Sequence, residues 1–172
     1  KDNLLIYYAG HGILDEAIST GYWLPVDSEE DNYSNYISDY DVISHLKGIS
    51  AKHILVIADS CFSGKIVRGI EPILEQDSNN KNNWYKRILN MKVRIAMTSG
   101  NLEPVEDSGY GNHSIFAGNL LEHLNSNKGI MTGRDLYEKI KNSIIYNSEQ
   151  TPLYSVIPNS GSDAGDFIFV RR

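Results

Sequence analysis

The sequence predicts an α/β protein built on a mainly parallel β-sheet with helices on both faces. Three observations carry this prediction. The apolar run rich in β-branched residues at His53–Asp59 reads as a strand buried on both faces, Leu4–Tyr8 as the first strand and Val93–Thr98 as a third buried strand. Helical patterns alternate with them, and that alternation produces parallel sheets. Each strand pattern stops at a small-residue turn bearing a polar group: His11, Cys61 and Ser99. In open parallel sheets ligands bind beyond the carboxyl ends of the strands, so one sheet edge is the active one.

The elements follow in order. After Leu4–Tyr8, Gly10-His11-Gly12 reads as a turn, since glycine admits unusual backbone angles and close approach. Residues 13–36 read as a loop with a short hairpin around Gly21-Tyr22-Trp23-Leu24-Pro25-Val26-Asp27. Ser38 is an N-cap, and Asp39 and Asp41 suit the positive end of the helix dipole. Val42, Ile43 and Leu46 share one face of that helix, and Gly48 can end it. The strand ending at Asp59 and Cys61 follows.

Gln76–Asn83 is polar and turn-rich and reads as an exposed loop flanked by short helices. Beyond the third strand, residues 101–113 form a loop rich in Gly and acid. Ser114 caps a helix with Ile115, Phe116, Leu120, Leu121 and Leu124 on its apolar face. Thr132 with Asp135 forms a capping box before Leu136, Tyr137, Ile140 and Ile144. Asp166–Val170 is a last strand.

Composition narrows the function. Residues 1–172 fit one domain with a sizeable core. A net charge of −6 argues against nucleic acid, whose phosphates need clustered Lys and Arg. No apolar run approaches the ~20 residues that span a bilayer. One cysteine excludes an internal disulfide framework and suits a reducing, cytoplasmic setting. Scattered histidines and the lack of a CxxC pair speak against a zinc cluster. The chain opens inside a strand pattern, so the expectation is a piece of a longer protein with its first strand or strands missing.

The chemistry lies in Cys61 and His11. A thiol is only slightly ionised at neutral pH and needs a base to become a nucleophile. An imidazole on an adjacent strand end supplies one, and can later protonate a leaving amine. The backbone N–H groups of Gly12 and Cys61 are candidates for an oxyanion hole. His45, His53, His113 and His123 lack such a placement; His113, just before an N-cap, stays ambiguous.

Tyr8-Ala9-Gly10-His11-Gly12 followed by Asp59-Ser60-Cys61-Phe62-Ser63-Gly64 resembles the caspase-like cysteine peptidases, in their metacaspase and prokaryotic branch. Gly21–Asp27, Thr98-Ser99-Gly100, His113-Ser114-Ile115-Phe116 and Gly165–Phe169 extend the resemblance over nearly the whole chain. It implies a caspase–hemoglobinase fold and a cysteine endopeptidase with His11 as base and Cys61 as nucleophile. It further implies that Asp59, two residues before the nucleophile, receives an Arg or Lys side chain of the substrate. Glu103 and Ser99 are further substrate-binding candidates, with Glu106 and Asp107 behind them. One position departs from the pattern: metacaspases often carry Ser two residues before the His, and here that residue is Ala9.

No cofactor is expected. Calcium activation occurs in the family, but Asp15, Glu16, Glu29, Glu30 and Asp31 lack EF-hand spacing. Arg68, Lys81, Lys86 and Arg87 offer basic positions for self-cleavage in the segment after Cys61, although an uncut loop is the simpler expectation. The partner is a protein or peptide substrate. Two other readings stand beside the peptidase: an inactive caspase-like interaction module, and a thiol hydrolase acting on a non-peptide acyl substrate.

Overall fold

A computed structural model describes residues 2–30, 32–67, 73, 80–100 and 112–171. Strand β1 (Asn3–Ala9) leads to a hairpin of β2 (Gly12–Asp15) and β3 (Thr20–Trp23), with β4 (Ile37–Ser38) paired to β3. Helix α1 (Asp39–Gly48), strand β5 (His53–Asp59), helix α2 (Lys81–Ile88) and strand β6 (Val93–Thr98) follow. Helix α3 (Ile115–Ser126), strand β7 (Ile130–Thr132), helix α4 (Gly133–Asn147), and strands β8 (Leu153–Val156) and β9 (Ile168–Val170) complete the described elements.

The main sheet has the order β1-β5-β6-β8. Both pairings of β5 are parallel, and β8 adds antiparallel to β6. This is the expected α/β sandwich. Alternate residues of the central strands feed two cores, because side chains on a strand point to opposite faces. Leu55, Ile57, Ile95 and Met97 pack with Ile115, Phe116, Leu120, Leu136, Ile140 and Ile144 of α3 and α4. Ile54, Val56 and Ala96 pack with Leu46 of α1, Ile66, Val67 and Ile157 on the other side.

The short-range helix signals hold. Ser38 Oγ accepts from Asp41 N and Ser114 Oγ from Ala117 N, so each caps its helix. Thr132 and Asp135 form both halves of a capping box.

Several local expectations are corrected. The hairpin lies earlier than Gly21–Asp27: Gly12 starts a strand, and the turn between β2 and β3 carries Ser19 at φ 53°. Tyr22, Tyr33 and Tyr36 cluster behind it, so aromatic packing holds a hairpin that strand propensity alone does not favour. Lys81–Asn83, read as loop, begin α2. Leu121 is 42% exposed rather than on the apolar face of α3. The last strand starts at Ile168 and pairs with β7, apart from the main sheet. Asp166 fixes this corner. One carboxylate oxygen accepts from the Tyr154 hydroxyl and from Phe167 N, the other from Arg134 N at the start of α4.

Arg94, inside β6, is fully buried. Its five N–H donors meet five carbonyls: Leu46 (3.0 Å), Ile49 (2.8 Å), Ala51 (2.8 Å), Lys52 (3.0 Å) and Val93 (2.8 Å). Leu46 and Ile49 stand at the negative end of the α1 dipole, so the cation also gains from that field. Removing it leaves buried acceptors unpaired, at roughly 1–3 kcal/mol each. Arg94→Met is therefore expected to lower unfolding stability by at least about 3 kcal/mol in urea titration.

His53 is buried at the start of β5, with Nε2 3.2 Å from the Ile88 carbonyl oxygen. Burial, the largest effect, holds its pKa below the ordinary 6.5, although backbone hydrogen bonds oppose the shift. The unfolded chain then binds the proton more readily, so stability falls as pH drops from about 6.5 through the lower folded value. Comparing the pH dependence of unfolding for the parent and His53→Gln checks this: the variant should show a flatter acid limb.

Candidate active site

The parallel register sets Ala9 beside Asp59 and Ala58 beside Thr98, so β1, β5 and β6 end at one level. The turns that follow bring together residues far apart in sequence. His11, Cys61 and Asp59 line one open cleft of about 400 Å³, together with Tyr7, Ala9, Gly10, Asn112, His113, Ser114 and Ala117.

The His11 loop is held from two sides. The Tyr8 hydroxyl donates to the His11 carbonyl at 2.7 Å and accepts from Leu24 N at 3.1 Å. Leu24 N also reaches the His11 carbonyl at 3.0 Å. The Tyr8 ring stacks on Trp23, with centroids 4.6 Å apart. On the other side, Gly12 lies against the cysteine turn. A methyl group at Gly12 would sit 2.3 Å from the Cys61 carbonyl oxygen and 2.7 Å from Ser60 Oγ. Only glycine lets the two backbones approach this closely.

The Cys61 turn is tight. Phe62 adopts φ 57°, a left-handed conformation that few non-glycine residues take. Ser63 N donates to the Ser60 carbonyl and Lys65 N to the Phe62 carbonyl. Ser63 Oγ reaches the Gly100 carbonyl at 3.3 Å, and Thr98 Oγ1 reaches the same atom at 2.9 Å. The turn after β5 is thereby tied to the end of β6. Cys61 itself is partly exposed.

Asp59 is 7% exposed at the wall of the cleft. Its Oδ2 accepts from Ser114 Oγ at 2.5 Å. Tyr7 is nearby: burial first, and then the Asp59 charge, push its phenol up to about 12, so Tyr7 stays neutral at physiological pH.

The other candidates are placed differently. Ser99 is fully buried, with its N–H donating to the Ala58 carbonyl, and it does not line the cleft. Glu103, Glu106, Asp107, Asp31 and Arg68 lie outside the described residues. Tyr7, Asn112 and Ser114 join the site without having been singled out for it. Tyr7 has a signal in hindsight, because it shares a strand face with Ala9, two residues before His11. His113 resolves to a position at the cleft wall.

Among the described residues, no group of three or more His, Cys, Asp or Glu side chains is arranged to hold a metal ion. Asp15 is instead a turn residue, accepting from Ala17 N and Ile18 N. Likewise, no described helix is long and apolar enough to cross a membrane. The arrangement offers a partly exposed thiol, an imidazole and a recessed carboxylate around one opening. That suits nucleophilic attack on an acyl group whose neighbouring side chain is cationic.

The caspase-domain family model matches residues 1–160. A search of the curated proteins finds no match.

Gly12→Ala tests the close approach. The added methyl should cost about 1–3 kcal/mol of stability by overpacking. It should also slow alkylation of Cys61 by iodoacetamide, read from mass spectrometry over time.

Proposed function

Because the chain belongs to the caspase-domain family, a family of cysteine peptidases, we propose that it is an endopeptidase cleaving proteins after Arg or Lys through an acyl-enzyme on Cys61. The observation that carries this reading is the shared cleft lined by His11, Cys61 and Asp59.

His11 takes the proton from Cys61 Sγ, and the thiolate attacks the scissile carbonyl. The backbone N–H groups of Gly12 and Cys61 receive the negative charge that develops on the carbonyl oxygen. As the tetrahedral intermediate collapses, the C–N bond breaks and His11 returns the proton to the leaving amine. His11 then activates water, which hydrolyses the thioester and restores the thiol. Asp59 receives the guanidinium or ammonium of the residue before the cleaved bond. Glu103, in the segment that follows β6 and Gly100, is a second acid for the same pocket. Asp59, where animal caspases carry a glutamine, supports the metacaspase-like branch; the lone cysteine supports a cytoplasmic setting.

Variant kinetics, covalent labelling and a peptide panel test the reading. Cys61→Ala and His11→Ala should each abolish hydrolysis of an arginyl fluorogenic peptide, and an arginyl chloromethyl ketone should label Cys61 in the parent. A scaffold without activity would leave the thiol unlabelled. In a peptide panel, Arg and Lys should be preferred over Asp at the cleaved position. Asp59→Asn should lower kcat/KM for the arginyl peptide at least about thirtyfold, since losing one member of a buried charge pair costs about 2 kcal/mol or more. Preference for Asp would overturn the assignment of Asp59.

A further inference from the structure

Ser114 sits at the N-cap of α3 and at the wall of the cleft. Its hydroxyl makes two directed hydrogen bonds. Oγ accepts from Ala117 N at 2.9 Å, which satisfies one of the unpaired donors of the helix's first turn. Oγ also lies 2.5 Å from Asp59 Oδ2. A serine hydroxyl has a single proton, and a backbone N–H can only donate. The proton therefore points to the Asp59 carboxylate while a lone pair takes the helix amide. The role of each side of the oxygen is fixed by the other.

We propose that Ser114 is the positioning residue of the substrate pocket, holding the Asp59 carboxylate at the angle in which it meets a basic side chain. This rests on the reading of Asp59 as the acid that receives Arg or Lys. The bond does two things for that acid. It engages one lone pair of Oδ2 and thereby restrains the carboxylate plane, while the second lone pair of that oxygen stays able to accept from a basic side chain. It also links Asp59 to the start of a 12-residue helix, whose positive end favours a negative group there. Burial reinforces both effects, because the acid is recessed and a hydrogen bond to a charged group strengthens away from water. Ser114 touches neither the scissile bond nor Cys61 in this scheme, so its influence is on substrate binding.

Capping and positioning separate experimentally. Glycine is a serviceable N-cap, only slightly weaker than Ser, but has no hydroxyl. Threonine keeps both the cap and the donor. Steady-state kinetics on arginyl and neutral-residue peptides should therefore compare the parent, Ser114→Gly, Ser114→Thr and Asp59→Asn, with the unfolding midpoint of each recorded. The expected result for Ser114→Gly is a KM for the arginyl peptide raised about tenfold or more. Its kcat should stay close to that of the parent, its unfolding midpoint should fall because a buried carboxylate loses a hydrogen bond, and Ser114→Thr should restore both the low KM and the midpoint. A Ser114→Gly variant with parental KM overturns the inference, and so does one whose kcat and KM change together on every peptide. If the parent lacks a preference for basic residues, or Asp59→Asn leaves it intact, the pocket reading itself fails and the role of Ser114 with it. That pattern is distinct from the loss of the Ser114 inference alone.

Discussion

Parallel pairing of β1 with β5, continued by Gly10 N donating to the Asp59 carbonyl, is the constraint on which the site rests. It ends both strands at one level and sends both following turns over the same edge. The turns then meet where Gly12 packs against the Cys61 carbonyl, with no space for a side chain. Tyr8 braces the loop from behind through the His11 carbonyl. The backbones that carry His11 and Cys61 are thus positioned by direct contact, which fixes the Cα positions of both residues.

Charge in the cleft is arranged by depth. The thiol and imidazole stand toward the opening, and the carboxylate of Asp59 is recessed beside the start of α3. A basic side chain can reach that acid only by entering the cleft, where partial exclusion of water strengthens an ion pair. Tyr7, kept protonated by burial and by the same charge, adds a neutral aromatic wall. Under the proposed function, such a pocket separates recognition from bond cleavage: the acid governs which side chain enters, and the Cys–His pair governs what then happens to its carbonyl.

Much of this was legible in the sequence, and the parts that were not share a cause. The central strands declared themselves because burial on both faces leaves uninterrupted apolar runs, as in Ile54–Ala58. The caps at Ser38, Ser114 and Thr132 were legible because capping acts over three residues. His11 and Cys61 stood out because each follows a strand and sits beside a turn. By contrast, β4 and β7 are too short to carry a period, and β8 is a four-residue segment after Pro152. The early hairpin depends on Gly12 fitting the cysteine turn and on tyrosines that lie a dozen or so residues away. The Ser114–Asp59 bond spans 55 positions, and local pattern has no access to such a pairing. Ser99 misled for the opposite reason: it matches the rule of polar residues after strands, but the chain turns it inward.

Arg94 gives the fold a further property. Four of its five acceptors belong to residues 46–52, which precede β5, whereas the guanidinium arrives on β6, which follows it. The end of α1 therefore obtains its conformation from a strand placed on the far side of β5 in the chain. It cannot mature early as a local unit, nor fray alone afterwards, because either event strands a buried cation or its carbonyls. The segment that carries α1 and the segment that carries β6 are bound into one cooperative block. A backbone break in the stretch between Cys61 and α2 would leave that block stitched together across the cut.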